Sequence, residues 1–245
     1  MRAWAKRTTR GMRGPYRPAA TRGLPSAEAS DAYASPPVGA RLLLVRHGQS
    51  EWNEAGRWQG WADIDLTDMG RDQARHAAAT VAAIRPDAVV SSGMRRATET
   101  AQLLVDGLGL PEVEVEAGFK EYDVGEWSGC TRDEIAERWP GMLEPFGRGE
   151  LGATPGGESR VAFLARLEAA VHRTAILHAG QTVLVVSHGG AIGSLTRRLD
   201  LDKDRGVRIA NLMGRWFIVD DVGAISVGPV VHLLEQTEET ASPDL

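Results

Sequence analysis

Two histidine–glycine pairs stand at the ends of apolar runs. Residues 42–45 lead into Arg46-His47-Gly48, and residues 183–186 lead into Ser187-His188-Gly189-Gly190. A single such histidine reads as a satisfied, partly buried imidazole. Two at matched positions, each followed by a residue without a side chain, describe a site that backbone or ligand approaches closely. A third apolar run closes at Ser91, and VVSSGMRRATETAQLL then opens a helical segment with Arg95 and Arg96 in its first turn. Cations are ill placed at the positive end of a helix dipole unless an anion sits there too, and such ends suit phosphate. In FKEYDVGEWSG, Glu121 is flanked by Tyr122 and Trp127. Apolar walls raise a carboxyl pKa and make it a proton donor near neutral pH, whereas the same residue beside Lys120 alone reads as a surface side chain.

The elements that must position these groups alternate. Strand patterns cover 42–46, 88–91, 113–116, 182–187, 215–219 and 224–234. Helical patterns cover 68–84, 95–108, 132–139, 160–178 and 191–199. Strands separated by helices of this length imply crossovers, hence an α/β fold: three layers, with a mostly parallel central sheet flanked by helices on both faces. The short link 220–223 predicts an antiparallel hairpin closing the sheet. Ligands bind beyond the carboxyl ends of strands in such sheets, which is where both histidines and Arg46 fall.

Composition narrows the chemistry. A lone Cys130 excludes an intramolecular disulfide framework and a cysteine-rich zinc site, and fits a reducing, cytoplasmic compartment. No stretch approaches eighteen consecutive apolar residues, so no membrane-spanning helix is expected. Residues 1–40 carry seven Lys or Arg against Glu28 and Asp31, a net +5; the overall charge is −5, so the other 205 residues carry −10. That basic leader, rich in Ala, Ser, Pro and Gly, is expected to be disordered. It reads as a dispensable tail, or as an extension from a start codon placed ahead of Met12, before it reads as a targeting signal. One domain over 41–235 and a flexible acidic tail over 236–245 complete the expectation. The acidic body argues against a nucleic-acid partner. No H-x-H, H-E-x-x-H or C-x-x-C spacing offers a metal site, and the arginines beside both histidines would repel a cation.

Six stretches in order, LVRHGQSEWN, GWADIDLTDMGRDQA, SSGMRRATETA, KEYDVGEWSG, GGES and VVSHGG, span roughly residues 41–200. Together they resemble the histidine phosphatase superfamily, the phosphoglycerate mutase-like proteins. The resemblance implies that His47 is the nucleophile attacking phosphorus. It implies that Arg46, Asn53, Arg96, His188 and Gly189 surround the phosphoryl oxygens, His188 as a catalytic group. Glu121 would protonate the departing alkoxide and later deprotonate the attacking water. No metal and no cofactor are required, and the substrate is a small-molecule phosphomonoester. Thr67 reads as a helix N-cap, and Gly48 and Gly189 as turns aiming the histidines. Gly70 is accounted for by the resemblance alone. Glu158 is expected to orient a neighbour in the site, and Arg95 to be a second phosphate ligand or merely solvated. His76, His172, His178 and His232 are assigned no chemistry.

Only 36 residues separate Glu121 from Glu158, and the acid sits in Glu-Tyr-Asp-Val-Gly rather than the Glu-Arg-His-Tyr-Gly usual in the mutases. A small lid leaves a phosphoenzyme open to water, which favours a phosphatase over the alternatives, a cofactor-dependent mutase-type phosphotransferase and an inactive phospho-ligand binder. The insertion CTRDEIAERWPGMLEPFGRGELGATPGG predicts a helix and then a Gly/Pro-rich loop. Arg132, Arg138 and Arg148 are candidates to steer an anion, and Trp139 and Phe146 to pack the lid. Trp52, Trp58 and Trp61 read as ordinary burial, with one of them a wall of the substrate mouth. Neither a membrane nor nucleic acid is expected as partner, and a homodimer is left open.

Overall fold

The computed structural model describes residues 39–110, 112–199 and 208–234. The leader expected over 1–40 lies outside them except for its last two residues, as does the acidic tail expected over 236–245.

Six strands form one sheet in the order β3-β2-β4-β1-β5-β6. β1 (Ala40–Arg46), β2 (Ala88–Ser91), β3 (Glu114–Val115) and β4 (Thr182–Ser187) run parallel. β5 (Met213–Val219) and β6 (Ile225–His232) make the expected hairpin, and β5 also pairs antiparallel with β1. The direction therefore reverses inside the sheet, beside the central strand. β1 is an almost unbroken apolar run because both its faces are covered. Leu42 and Leu44 face one layer with Phe163, Leu167 and Ile192, while Leu43 and Val45 face the other with Val81, Ala97 and Leu104. Burying each leucine fully contributes on the order of 2 kcal/mol. The three-layer expectation describes this packing.

The first layer is built from α4 (Arg132–Arg138), α5 (Leu143–Arg148), α6 (Arg160–Leu177) and α7 (Gly189–Leu199), the second from α2 (Asp68–Ile84) and α3 (Arg95–Val105). A short α1 (Glu51–Glu54) follows β1, opened by a capping box between Ser50 and Asn53. α2 begins at Thr67, whose hydroxyl accepts from Gly70 N at 3.0 Å, as its sequence position predicts.

Several element bounds differ from the sequence patterns, and three of the differences have a local reason. α3 stops at Val105 because Gly107 and Gly109 take positive φ. α7 starts directly after His188, so both glycines lie in its first turn. The Gly/Pro-rich loop contains α5, because Pro145 sits in its first turn, where no helical hydrogen bond is lost. Among the described residues no helix is long and apolar enough to cross a membrane.

Candidate active site

Parallel pairing of β1 with β4 sets Arg46 opposite Ser187, so the two histidines leave the sheet at the same height. Their ring centroids are 5.2 Å apart at 61°, and both side chains are buried. His47 Nδ1 lies 2.6 Å from Gly48 O. A carbonyl only accepts, so Nδ1 carries the proton and Nε2 keeps its lone pair. The His47 backbone is held as well: its N–H donates to Ser187 O at 3.1 Å, and its carbonyl accepts from Asn211 Nδ2 at 2.8 Å. His188 is tied the other way round. Its Nε2 meets Ser92 Oγ at 2.8 Å, while Nδ1 is buried with no hydrogen-bond partner among the described residues.

The cations beside the rings are anchored on backbone. Arg96 Nη1 donates to Ala62 O at 2.7 Å and Nη2 to Gly60 O at 3.0 Å, and its buried Nε has no partner among the described residues. Burial lowers this guanidinium to a pKa of about 10, partly offset by Glu121 and Asp63, so it stays charged at neutral pH. Arg46 Nη1 donates to Ile209 O at 3.0 Å. Burial first, then Arg96 and Arg46, hold the His47 ring well below the ordinary imidazole range. His188 is lowered likewise by burial, then Arg96, His47, Arg46 and Arg166. Both rings are neutral at neutral pH.

Glu121 reaches the same place from the other side. Its Oε2 accepts from Gly190 N at 3.0 Å and its Oε1 from Tyr122 N at 2.9 Å. A Cβ at position 190 would lie 2.5 Å from Oε1, so this helix end admits the carboxylate only as glycine. Tyr122 and Trp127 belong to the aromatic packing of the core. Tyr122 packs on Phe146 and Phe163, and Trp127 on Trp58 and Phe146, because these rings complete the core under the insertion. Trp61 is the aromatic beside the acid: it is half exposed, and its Nε1 donates to Glu121 O at 2.8 Å.

Neither Gly48 nor Gly189 makes a turn with positive φ. Each is a point of close approach instead: a Cβ at 48 would lie 2.5 Å from Gly70 O, and one at 189 would lie 3.2 Å from Arg46 Cδ. The same contact gives Gly70 a physical reason, since its own Cβ would lie 2.0 Å from Gln49 O. α2 thus presses its first turn onto the loop that carries His47. Arg95 is largely exposed, and its guanidinium pairs with Asp65 at 2.9 Å, which supplies negative charge at this helix end. Asn53 is buried, with Oδ1 accepting from Ser50 N at 3.2 Å and Asn211 Nδ2 at 3.4 Å. Phe146 packs, as expected, and Arg148 bonds Glu150 within the insertion.

Four residues escaped the sequence reading. Ser92, and Thr100, which accepts from Gly48 N and donates to Arg96 O, both lay inside a quoted motif. Arg166, beneath the acid, and Asn211 carried no signal of type or spacing.

The sequence profile of the histidine phosphatase superfamily (branch 1) matches residues 42–219. A glucosyl-3-phosphoglycerate phosphatase from Mycolicibacterium vanbaalenii is 38% identical over 166 residues, 65% of this chain and 73% of its own length. A 2,3-bisphosphoglycerate-dependent phosphoglycerate mutase from Methylobacterium radiotolerans is 37% identical over 166 residues, 65% of this chain and 78% of its own. Among solved structures, a mycobacterial glucosyl-3-phosphoglycerate phosphatase complexed with VO3 aligns with a TM-score of 0.65 and 32% identity, covering 72% of this chain and 90% of that one.

Proposed function

The chain belongs to the histidine phosphatase superfamily and is a phosphatase of small phosphorylated metabolites, and from that premise we propose that His47 is its nucleophile and Glu121 its acid. The observation that carries the reading is the bond from His47 Nδ1 to Gly48 O, which leaves the Nε2 lone pair to attack phosphorus. As the Nε2–P bond forms, the bond from phosphorus to the ester oxygen breaks, and Glu121 passes its proton to the departing alkoxide. The phosphorylated ring becomes cationic with Nδ1–H in place, and Gly48 O offsets that charge. Water then attacks phosphorus, gives a proton to Glu121, and releases phosphate and a neutral His47. Arg46, Arg96, Asn53, the Gly189 N–H and the His188 Nδ1, which has no partner among the described residues, surround the phosphoryl oxygens where negative charge develops.

The insertion supports hydrolysis over transfer to a second alcohol. It is short, its Phe146 is packed on Trp58, Tyr122 and Trp127, and Arg148 is held by Glu144 and Glu150. That leaves few cations to keep a second phosphate in place while water is shut out. We place the enzyme in the cytoplasm, because its single free thiol, Cys130, fits a reducing compartment.

The test is a leaving-group comparison, run in EDTA so that no metal contributes. Para-nitrophenolate leaves without a proton, whereas an alkoxide does not. Glu121→Gln should slow the single-turnover burst on glycerol phosphate by about 10²-fold or more, and that on para-nitrophenyl phosphate far less. Equal losses would make Glu121 a binding or structural residue.

A further inference from the structure

Glu121 sits on backbone with no regular structure, between the 3-10 turns Ala117–Phe119 and Gly125–Trp127. A proton donor must be held within a fraction of an ångström of its target, and a loop does not do this alone. Here one side chain gathers the loop. Arg166, on α6, donates from Nη1 to Gly118 O at 2.9 Å and Lys120 O at 2.7 Å, and from Nη2 to Glu121 O at 2.6 Å. Its other edge is gripped by Glu158, Nη2 to Oε1 at 2.6 Å and Nε to Oε2 at 3.0 Å. Glu158 Oε1 also accepts from Asp123 N at 2.8 Å, so the carboxylate fastens the loop on the far side of the acid.

Three carbonyls and a carboxylate around one planar fork demand a guanidinium. An ammonium has three donors and no plane. The pair is mostly buried, with 21% and 14% of the two side chains exposed, which removes the screening that makes surface ion pairs weak.

We infer that Arg166, oriented by Glu158, is the positioning residue of the acid. It fixes the 118–121 backbone so that the Glu121 carboxylate meets Gly190 N at the phosphoryl site. The inference rests on Glu121 being the acid. Arg166 acts through that residue, so its loss should imitate a weakened acid rather than a weakened phosphate site.

Arg166→Lys keeps the charge and removes the fork. In single-turnover bursts it should slow glycerol phosphate by about 10- to 100-fold and para-nitrophenyl phosphate by no more than about threefold. Glu158→Gln loosens the grip but keeps Arg166, and should show the same split at about a third of the size or less; it serves if the lysine variant does not fold. On glycerol phosphate, the double variant Arg166→Lys with Glu121→Gln should be no slower than Glu121→Gln alone, since a missing acid cannot be misplaced. Equal losses on both substrates, or effects that add fully in the double variant, overturn the clamp. If Glu121→Gln itself shows no split, the acid assignment falls first and the clamp falls with it.

Discussion

The ends of β1 and β4 carry the same dipeptide at the same height, yet they bind their histidines oppositely. His47 turns Nδ1 onto the carbonyl of its own neighbour, while His188 turns Nε2 onto the hydroxyl of Ser92 on another strand end. A fixed carbonyl dictates one tautomer and leaves an electron pair outward. A hydroxyl accepts or donates, so it leaves the tautomer of His188 to be chosen by what meets Nδ1. A phosphoryl oxygen there selects Nδ1–H, with Ser92 then donating to Nε2. In the proposed mechanism, one strand end thus presents the nucleophile and the other a donor. A motif repeated in sequence is made into two roles by the partners of the second ring nitrogen.

Substitutions at the two ends should separate these roles. His47→Ala should cost at least about 10³-fold in kcat and abolish the phosphoenzyme, with the circular dichroism spectrum unchanged. His188→Ala removes a donor to the transition-state charge and should cost about 10²- to 10³-fold, while phosphoenzyme still forms slowly in quench experiments. Equal loss of the phosphoenzyme in both variants would break the distinction. Ser92→Ala should cost only about tenfold in kcat, together with about 1–3 kcal/mol of stability from the stranded Nε2, read from denaturant midpoints. If it proves neutral in both, Ser92 does not orient the ring.

The two ends should behave alike towards protons. The native rings are held well below the ordinary value of 6.5, chiefly by burial and by Arg96. Above about pH 6.5 neither folded nor unfolded chain protonates them, and they contribute no pH dependence. As pH falls below that, the unfolded chain takes up protons that the native sites refuse, so stability drops until the lowered native values are reached. Thermal midpoints should fall over this window, and His47→Ala combined with His188→Ala should flatten the fall. kcat/KM should show no acid limb at 6.5 from His47; a limb there would contradict the buried, neutral nucleophile.

Much of this was legible in the sequence, and what was not shares a cause. β1 and β4 announced themselves because both faces are buried, which leaves no polar alternation to misread. Thr67 was legible as a cap because capping is a local contact. Gly70 was not, because its reason is a backbone contact with Gln49, remote in sequence. Arg166 and Asn211 were hidden for a similar reason: the partners that tie them to the site include backbone carbonyls, which have no residue type to read. α5 was hidden behind Pro145 and Gly147, which read as loop although the proline occupies a harmless first-turn position. The candidate catalytic groups were found by type, spacing and the resemblance these carry; of the side chains that hold them, Glu158 was anticipated, whereas Ser92, Arg166 and Asn211 emerged only from packing.

The central claim is that His47 Nε2 becomes phosphorylated. It is tested by quenching turnover of a radiolabelled phosphomonoester in base, digesting with trypsin and locating the label. The account predicts an acid-labile, base-stable adduct on the peptide 47–57, absent from His47→Ala. A label on the peptide containing His188, or an adduct that base removes as it would an acyl phosphate, would contradict it.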